Sequence, residues 1–262
     1  MDYFEFKQFR VYHDRCAMKV GTDGVLLGAW ADVENSKRIL DIGCGTGLIA
    51  LMVAQRSNAE VVGIDIDSNA AEQASENAEA SPFSKCITIK RADILKYEDT
   101  TGFDTIISNP PFFVEDTLSP NMKRSLARHA SSLHFEDLIS KSIELMRPGA
   151  SFQIILPTQN AKRFGDLCTL KKLSLVRRTD IITKKGGLPK RTMMHYINRI
   201  NATMPVFSQL TINDENNGRT PEYRNSPRII IYKSIFISVS VFHKILQKHI
   251  RAASQSIHQN KI

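Results

Sequence analysis

The hydrophobic pattern between residues 37 and 156 predicts short buried strands that alternate with helices. A helix is predicted where apolar residues recur every three or four positions, as at Leu48, Leu51 and Met52. A turn is predicted at Pro148-Gly149, ahead of the last of these strands. The predicted strands are residues 37–43, 61–64, 86–89, 103–108 and 151–156, and the predicted helices are residues 48–56, 69–80 and 135–146.

This alternation predicts an α/β fold with a mostly parallel sheet and helices on both faces. A sheet of this kind binds its ligands beyond the carboxyl ends of its strands. The residues that directly follow each predicted strand are therefore the candidates for a functional site.

The first such segment is a glycine-rich motif that starts within the strand at residues 37–43 and runs into the turn after it. It begins at Asp41 and contains Gly43, Gly45 and Gly47. Glycines allow the backbone to turn sharply and to approach a ligand without an intervening side chain. The loop is predicted to bind part of a cofactor.

Two carboxylates follow the next two strands. Asp65 lies about 20 residues after the loop, where a carboxylate accepts hydrogen bonds from ribose hydroxyls, and Asp93 is placed to accept one from an adenine amino group. NAD and S-adenosylmethionine sites share these features. The compact GxGxG spacing and the acidic Asp41 favour S-adenosylmethionine, which carries a sulfonium and an ammonium group, over a pyrophosphate.

The strand at residues 103–108 ends in Asn109-Pro110-Pro111-Phe112. An amino group on a heteroaromatic ring is a poor nucleophile because its lone pair is delocalised. The Asn109 side-chain oxygen and the Pro110 carbonyl can each accept one hydrogen bond from such a group, which holds it for reaction. Phe112 offers a ring on which a base can stack. The segment predicts methylation of an amino group.

The glycine loop, the ribose acid and the NPPF segment together resemble the class I amino-methyltransferases. Further segments resemble the tRNA1(Val) adenine-37 N6-methyltransferases, a family within that class. These segments are residues 4–9, 13–24, 41–56, 127–129, 133–138 and 187–191.

The resemblance implies a Rossmann-like, seven-stranded, mostly parallel sheet. It implies S-adenosylmethionine as the cofactor and N6-methyladenosine beside the anticodon of tRNA1(Val) as the product. Within this resemblance we expect an N-terminal segment that caps the cofactor site (residues 1–36), a methyltransferase domain (residues 37–223) and a divergent basic tail (residues 224–262). We also expect a monomer.

Three residues outside the two motifs are further candidates. Asp23 and Lys19 precede the first predicted strand and are expected near the methionine end of the cofactor. His129 lies in the long segment after NPPF that we expect to close over the base. Trp30, the only tryptophan, is expected in the core.

The net charge of +8 is unevenly distributed. Residues 1–161 contain 16 basic and 22 acidic residues, whereas residues 162–200 contain 11 basic and 2 acidic ones. Residues 219–262 add 8 basic residues against Glu222 alone. An acidic first part followed by a basic remainder indicates a polyanionic partner, which fits tRNA.

The sequence contains neither a signal-peptide pattern at its start nor an apolar run of the roughly 20 residues that span a bilayer. We therefore expect a cytoplasmic protein without a membrane segment. The four cysteines are scattered and form no CxxC pair, so we expect neither disulfides nor a metal site.

The resemblance weakens after Tyr223. Residues 229–241 have high strand propensity, and residues 241–251 predict a helix with Lys244, Lys248 and Arg251 on one face. A basic helix that faces RNA and a divergent tail without a function are both consistent with this pattern.

Several other functions remain open at the level of sequence. Methylation of a release-factor glutamine uses a similar NPPY segment, but those enzymes have a helical domain ahead of the core, and only about 38 residues precede the first strand here. DNA adenine methylation is disfavoured because no large target-recognition segment is present.

A non-enzymatic RNA-binding protein would have no need of Asp41, Asp65, Asp93 and Asn109 together. An NAD-dependent oxidoreductase would leave NPPF unexplained.

Overall fold

A computed structural model of the chain describes residues 2–111, 133–199 and 204–224. A 3-10 turn at Ile94–Lys96 follows the fifth strand. In chain order the other elements are β1 (Tyr3–Glu5), β2 (Arg10–Tyr12), α1 (Thr22–Trp30), β3 (Arg38–Ile42), α2 (Leu48–Ala54), β4 (Glu60–Asp65), α3 (Ser68–Glu79), β5 (Ile87–Arg91), β6 (Phe103–Ser108), α4 (Phe135–Leu145), β7 (Met146–Pro157), α5 (Thr158–Leu170), β8 (Ser174–Lys184), β9 (Pro189–Ile197), β10 (Val206–Asn213) and α6 (Pro221–Arg224).

The main sheet has eight strands in the order β10-β8-β9-β7-β6-β3-β4-β5. All neighbouring pairs are parallel except β7 with β9 and β8 with β9. The predicted α/β fold with a mostly parallel sheet is confirmed. The sheet has one strand more than the seven expected, because β10 adds to the edge strand β8. The short pair β1 and β2 forms a separate antiparallel hairpin.

Helices cover both faces of the sheet, and for this reason consecutive residues of the central strands are buried and mostly apolar. Along β3, Ile39 belongs to the core layer that includes α1 and α2, and the next residue, Leu40, belongs to the layer that includes α4 and α5. Successive side chains of a strand point to opposite faces, so a strand buried on both sides has no polar period.

The eight elements predicted from the hydrophobic pattern are confirmed to within a few residues, apart from the start of β7. This strand begins at Met146, ahead of the turn predicted at Pro148-Gly149. Gly149 has a φ of 76°, and the pairing with β6 shifts register between Phe103 and Thr105. The turn is therefore accommodated as an irregularity inside a longer strand.

Helix α1 carried no helical period in the sequence because it is buried nearly all round, from Gly24 to Ala29. It packs in the same core layer as α2. Trp30 at its end packs against this core, as expected, while its Nε1 donates to Thr179 Oγ1 at 2.9 Å.

Several predictions lie outside the described residues. These are the stacking role of Phe112, the role of His129 and its surrounding segment, and the strand and basic helix after residue 224. Within the described part of the chain, no helix is both long and apolar enough to cross a membrane.

Candidate active site

Four adjacent strands bring the predicted site residues to one edge of the sheet. Gly43 follows β3, Asn109 follows β6, and Asp65 ends β4. Ile42 of β3 is paired with Ser108 of β6, so Gly43 and Asn109 leave neighbouring strands at the same level. The sheet topology therefore assembles residues that are up to 66 positions apart in the chain.

The glycine loop needs its glycines for two different reasons. Gly43, Gly45 and Gly47 have φ values of 68°, 54° and 77°, a region that other residues rarely adopt. A Cβ on Gly43 or Gly45 would meet no atom within 4 Å, whereas a Cβ on Gly47 would lie 3.2 Å from the Cβ of Ala74 in α3. The first two glycines thus border open space where a ligand fits, and Gly47 allows close packing of α3.

The Asp65 carboxylate is held by the backbone of the loop. Its Oδ2 accepts a hydrogen bond from the Gly45 N–H at 2.8 Å, and its Oδ1 accepts one from the Asp67 N–H at 3.0 Å. Burial raises the pKa of Asp65, and these hydrogen bonds oppose the increase. Each carboxylate oxygen has a further lone pair, so both can also accept a ribose hydroxyl.

Asp41 is fully buried beneath the loop. Its Oδ2 accepts a hydrogen bond from the Ala50 N–H at 3.1 Å, and its Oδ1 has no hydrogen-bond partner among the described residues. Burial, with a smaller contribution from the charge of Asp65, raises the pKa of Asp41 to about 7. An uncompensated buried carboxylate at this place is suited to a cationic ligand group.

Asn109 also has an unsatisfied oxygen. Its Oδ1 is buried and has no hydrogen-bond partner in the described part of the chain. Buried side-chain oxygens in proteins nearly always accept a hydrogen bond, so this exception indicates a group that accepts from a ligand. The preceding residue is fixed, because Ser108 Oγ donates to the Ile42 carbonyl at 2.9 Å, and the following residue, Pro110, is buried.

Asp93 follows β5, the neighbour of β4 in the sheet. It caps the 3-10 turn, since its Oδ1 accepts from the Leu95 N–H at 3.0 Å. Asp93 therefore lies at the same edge as Asp65, on the side of β4 away from Asn109.

The two candidates from the N-terminal segment are both in ion pairs. Asp23, in the first turn of α1, has its Oδ2 at 2.7 Å from Arg191 Nε. Lys19 is exposed, and its Nζ lies 2.6 Å from Asp2 Oδ2. Arg191 is paired in the sheet with Pro157 at the carboxyl end of β7, so Asp23 lies at the site's edge of the sheet.

A contact that the sequence analysis missed joins the N-terminal segment to the glycine loop. The buried Asn77 of α3 donates from Nδ2 to the carbonyls of Tyr12 (2.8 Å) and Thr46 (2.9 Å), and its Oδ1 accepts from the Tyr12 N–H at 2.9 Å. One turn earlier, Gln73 Oε1 accepts from the Arg15 N–H at 3.2 Å. The only available signal was a pair of amide residues four positions apart on the alanine-rich buried face of a helix.

The described residues contain no group of three or more histidine, cysteine or acidic side chains that could hold a metal ion. This edge of the sheet presents four carboxylates (Asp23, Asp41, Asp65 and Asp93), a glycine loop bordering open space and one buried amide oxygen.

Comparison with known proteins defines the class. Residues 18–150 match the family described as methyltransferase small domain. A predicted O-methyltransferase from Agrobacterium tumefaciens, 21% identical, covers 82% of this chain and 100% of its own with a TM-score of 0.63. A putative class I S-adenosylmethionine-dependent methyltransferase from Listeria monocytogenes, 15% identical, covers 71% of this chain and 62% of its own with a TM-score of 0.50. The fold is that of a class I methyltransferase.

Proteins of similar sequence identify the family within this class. The tRNA1(Val) (adenine(37)-N6)-methyltransferase of Phocaeicola vulgatus is 45% identical over 84% of this chain and 94% of its own. The proteins of the same name from Bacteroides thetaiotaomicron and Glaesserella parasuis are 48% and 40% identical, over 74% and 89% of this chain and 83% and 98% of theirs. The chain belongs to the tRNA1(Val) (adenine(37)-N6)-methyltransferase family, as the resemblance predicted.

The protein is thus an enzyme, a methyltransferase that uses S-adenosylmethionine. The site fits this cofactor on its own geometry. Gly43 and Gly45 leave open space beside the loop, and the Asp65 carboxylate is oriented beside them. The buried Asp41 carboxylate beneath the loop has one oxygen without a hydrogen-bond partner among the described residues, which suits a nearby positive charge.

Proposed function

We propose that the protein transfers a methyl group to the exocyclic N6 amine of adenine in tRNA, at adenine 37 of tRNA1(Val). The observation that carries the chemistry is the buried Asn109 Oδ1, which has no hydrogen-bond partner among the described residues. It lies directly beyond β6, beside the glycine loop that borders the cofactor space.

Asn109 acts on the amine by accepting a hydrogen bond from it through Oδ1. The Pro110 carbonyl accepts the second N–H, and the proline ring holds the backbone of this carbonyl in place. With both hydrogens engaged, the amine is fixed with its lone pair directed away from the two acceptors. Phe112 then stacks on the adenine ring.

The cofactor is assigned to the loop and its neighbouring acids. Gly43, Gly45 and Gly47 shape the space, Asp65 accepts from the ribose hydroxyls, and Asp93 accepts from the adenine amino group. Asp41 and Asp23 provide negative charge for the cationic methionine end. When bound, S-adenosylmethionine supplies an electrophilic methyl group carried on a sulfonium.

No strong base is needed in the site. The adenine nitrogen gains a methyl group and becomes far more acidic, so it loses one proton to water afterwards. The contribution of the protein is alignment and exclusion of water around two fixed acceptors.

The substrate follows from the relatives and from charge. The relatives quoted above are named as tRNA methyltransferases, which favours tRNA over the alternative of a release-factor glutamine. The 11 basic residues among positions 162–200 support a polyanionic substrate. We further propose that the enzyme works as a monomer in the cytoplasm, where tRNA is processed.

The test uses purified protein, labelled S-adenosylmethionine and an unmodified tRNA1(Val) transcript, followed by nucleoside analysis. We expect N6-methyladenosine at position 37 with wild type. Asn109→Ala should bind the cofactor within about twofold of wild type but lose roughly 10²- to 10³-fold in kcat, the usual cost of one lost transition-state hydrogen bond. Asn58→Ala, an exposed asparagine that precedes β4 at the opposite edge, is the matched control and should stay active.

Two outcomes would contradict the proposal. Wild-type kcat in Asn109→Ala would remove the role of its amide oxygen. Transfer to a release-factor glutamine, with no methylation of the transcript, would replace tRNA as the substrate.

A further inference from the structure

The β8–β9 hairpin, residues 184–191, projects beyond the edge of the sheet that holds the site. Strand β8 is antiparallel to β9, and β9 is antiparallel to β7, so β8 ends at the same edge as β7 and β6. Arg191 is level with Pro157, the last residue of β7, and with Ile181 of β8. Because β8 continues from Ile181 to Lys184, the hairpin extends about 10 Å beyond the end of β7.

This hairpin is close enough to the site to contact the same substrate. In the sheet, β8 is separated from β6 by β7 and β9. Three strand spacings place the hairpin about 15 Å to one side of Asn109, within a few nucleotides of a base bound there.

The hairpin carries four positive charges and no negative one: Lys184, Lys185, Lys190 and Arg191. Arg191 is paired with Asp23, and Lys185 Nζ lies 3.1 Å from Glu215 Oε1 in an exposed pair. Lys184 and Lys190 are exposed, and neither has an ion-pair partner among the described residues. Two cations at the edge of the site are therefore available to an anion from outside.

The backbone of the β8–β9 hairpin is held in one conformation by hydrogen bonds. Gly186 has a φ of 79°, and the Gly187 N–H donates to the Lys184 carbonyl at 2.9 Å, which closes a tight turn. The Lys185 N–H donates to the Asn213 carbonyl of β10, also at 2.9 Å. A fixed turn presents its lysines with less loss of conformational freedom than a flexible segment would.

The other side of the site carries charges of both signs. Beyond β3 the edge has Asp65, Asp67 and Asp93, but the exposed Lys90, Arg91 and Lys96 lie at or just after the end of β5. On α3, the exposed Glu72 and Glu76 are paired with Arg15. The hairpin is the more uniformly basic of the two sides, which favours it for contact with an RNA backbone.

We propose that the β8–β9 hairpin is the docking surface for the RNA backbone next to the target adenine, with Lys184 and Lys190 as phosphate contacts. The inference rests on the proposed function, since it takes tRNA as the substrate. It adds which surface of the protein positions that substrate. Phosphate contacts set register and orientation, and recognition of the base stays with the Asn109 site.

The test compares two double variants of equal net charge. Lys184→Gln/Lys190→Gln removes the proposed contacts. Lys37→Gln/Lys171→Gln removes two exposed lysines at the opposite edge, before β3 and before β8. Binding of the unmodified tRNA1(Val) transcript is measured at several salt concentrations from 50 to 200 mM, together with cofactor affinity and kcat at saturating tRNA.

Two lost phosphate contacts should reduce the slope of log K against log salt by about 1.4 to 1.8 in the hairpin variant. The tRNA affinity of the hairpin variant is lower than that of wild type, and this ratio of affinities should therefore become about tenfold smaller as salt is raised from 50 to 200 mM. The control should keep the wild-type slope. The cofactor affinity and kcat should stay within about twofold in both variants, and Lys184→Arg/Lys190→Arg should restore the slope.

Equal slopes for the hairpin variant and the control would overturn the docking surface while leaving the proposed function intact, provided that wild type methylates the transcript. Failure of wild type to methylate or bind the transcript would overturn both. A drop in kcat at saturating tRNA, with unchanged salt slope, would assign the hairpin to the chemical step and would also overturn the docking role.

Discussion

The Oδ2 atom of Asp65 accepts a hydrogen bond from the Gly45 backbone N–H at 2.8 Å, which joins the acid at the end of β4 to the glycine loop after β3. The carboxylate proposed to hold the ribose is thus also a structural part of the loop. This hydrogen bond couples the loop to the acid, so a change in either is expected to affect the other.

Asp65→Asn is predicted to weaken cofactor binding by about 10- to 100-fold, because hydrogen bonds to a charged acceptor contribute roughly 1.5–3 kcal/mol. The amide keeps one oxygen, which can accept from the Gly45 N–H or the Asp67 N–H but not from both as the carboxylate does, so thermal unfolding of the variant is measured alongside. Calorimetric titration with S-adenosylmethionine provides the measurement. Asp166→Asn, in an exposed ion pair on α5, is the control. Unchanged affinity in Asp65→Asn would remove the ribose role of Asp65.

Asn77→Ala is predicted to release the N-terminal segment from α3 and the glycine loop. Three hydrogen bonds are lost at a fully buried position, so the free energy of unfolding should fall by about 1–3 kcal/mol. Amide hydrogen exchange should increase around Tyr12 more than in the central strands. Asn69→Ala, exposed on the same helix, is the control and should change neither quantity. A uniform increase in exchange across the sheet would contradict a local tether.

The buried Asp41 predicts a pH dependence of stability. Its pKa is raised to about 7 in the folded protein, so between about pH 4 and pH 7 the folded state binds more protons than the unfolded state. This carboxyl group therefore makes the cofactor-free protein less stable as pH rises through that window, by up to about 1.4 kcal/mol per unit, with no further change above it.

Asp41→Asn removes this titration. Denaturant unfolding of wild type and variant at pH 5 and pH 8 should show that the variant gains stability relative to wild type at the higher pH. If the free energies of unfolding of wild type and Asp41→Asn differed by the same amount at pH 5 and pH 8, Asp41 would be ionised in the folded protein over that range. This result would contradict the prediction.

The two residues of the Asp23–Arg191 pair are predicted to differ in their effect on cofactor binding. Asp23→Asn should lower cofactor affinity by about tenfold or more through loss of a charged acceptor, whereas Arg191→Gln leaves that carboxylate in place and should keep cofactor affinity within about twofold. Cofactor titrations of both variants provide the measurement. Equal losses of cofactor affinity in the two variants would mean that the pair only supports the fold.

Local patterns in the sequence were sufficient for the central strands β3 to β7, helices α2 to α4 and the glycine loop, because burial on both faces or on one helical stripe leaves a clear hydrophobic signature. The positions of Asp41, Asp65, Asp93 and Asn109, each at or just after the end of a predicted strand, were equally visible in the sequence. Parallel strands must present their carboxyl ends at one edge, so these residues were predicted to meet there.

The sequence by itself thus determined the class of fold and the positions of the glycine loop and of the Asn109-Pro110 segment after their strands, since each depends on residues close together in the chain. Only the tertiary structure decided that Asn77 joins Tyr12 to Thr46, that Asp23 pairs with Arg191 across 168 positions, and that a basic hairpin projects beside Asn109. Contacts of this kind depend on the pairing of distant strands and on single side chains meeting distant backbone. Such contacts leave no periodic pattern in the sequence. Strand β8 itself is partly exposed, and buried and exposed residues do not alternate regularly along it.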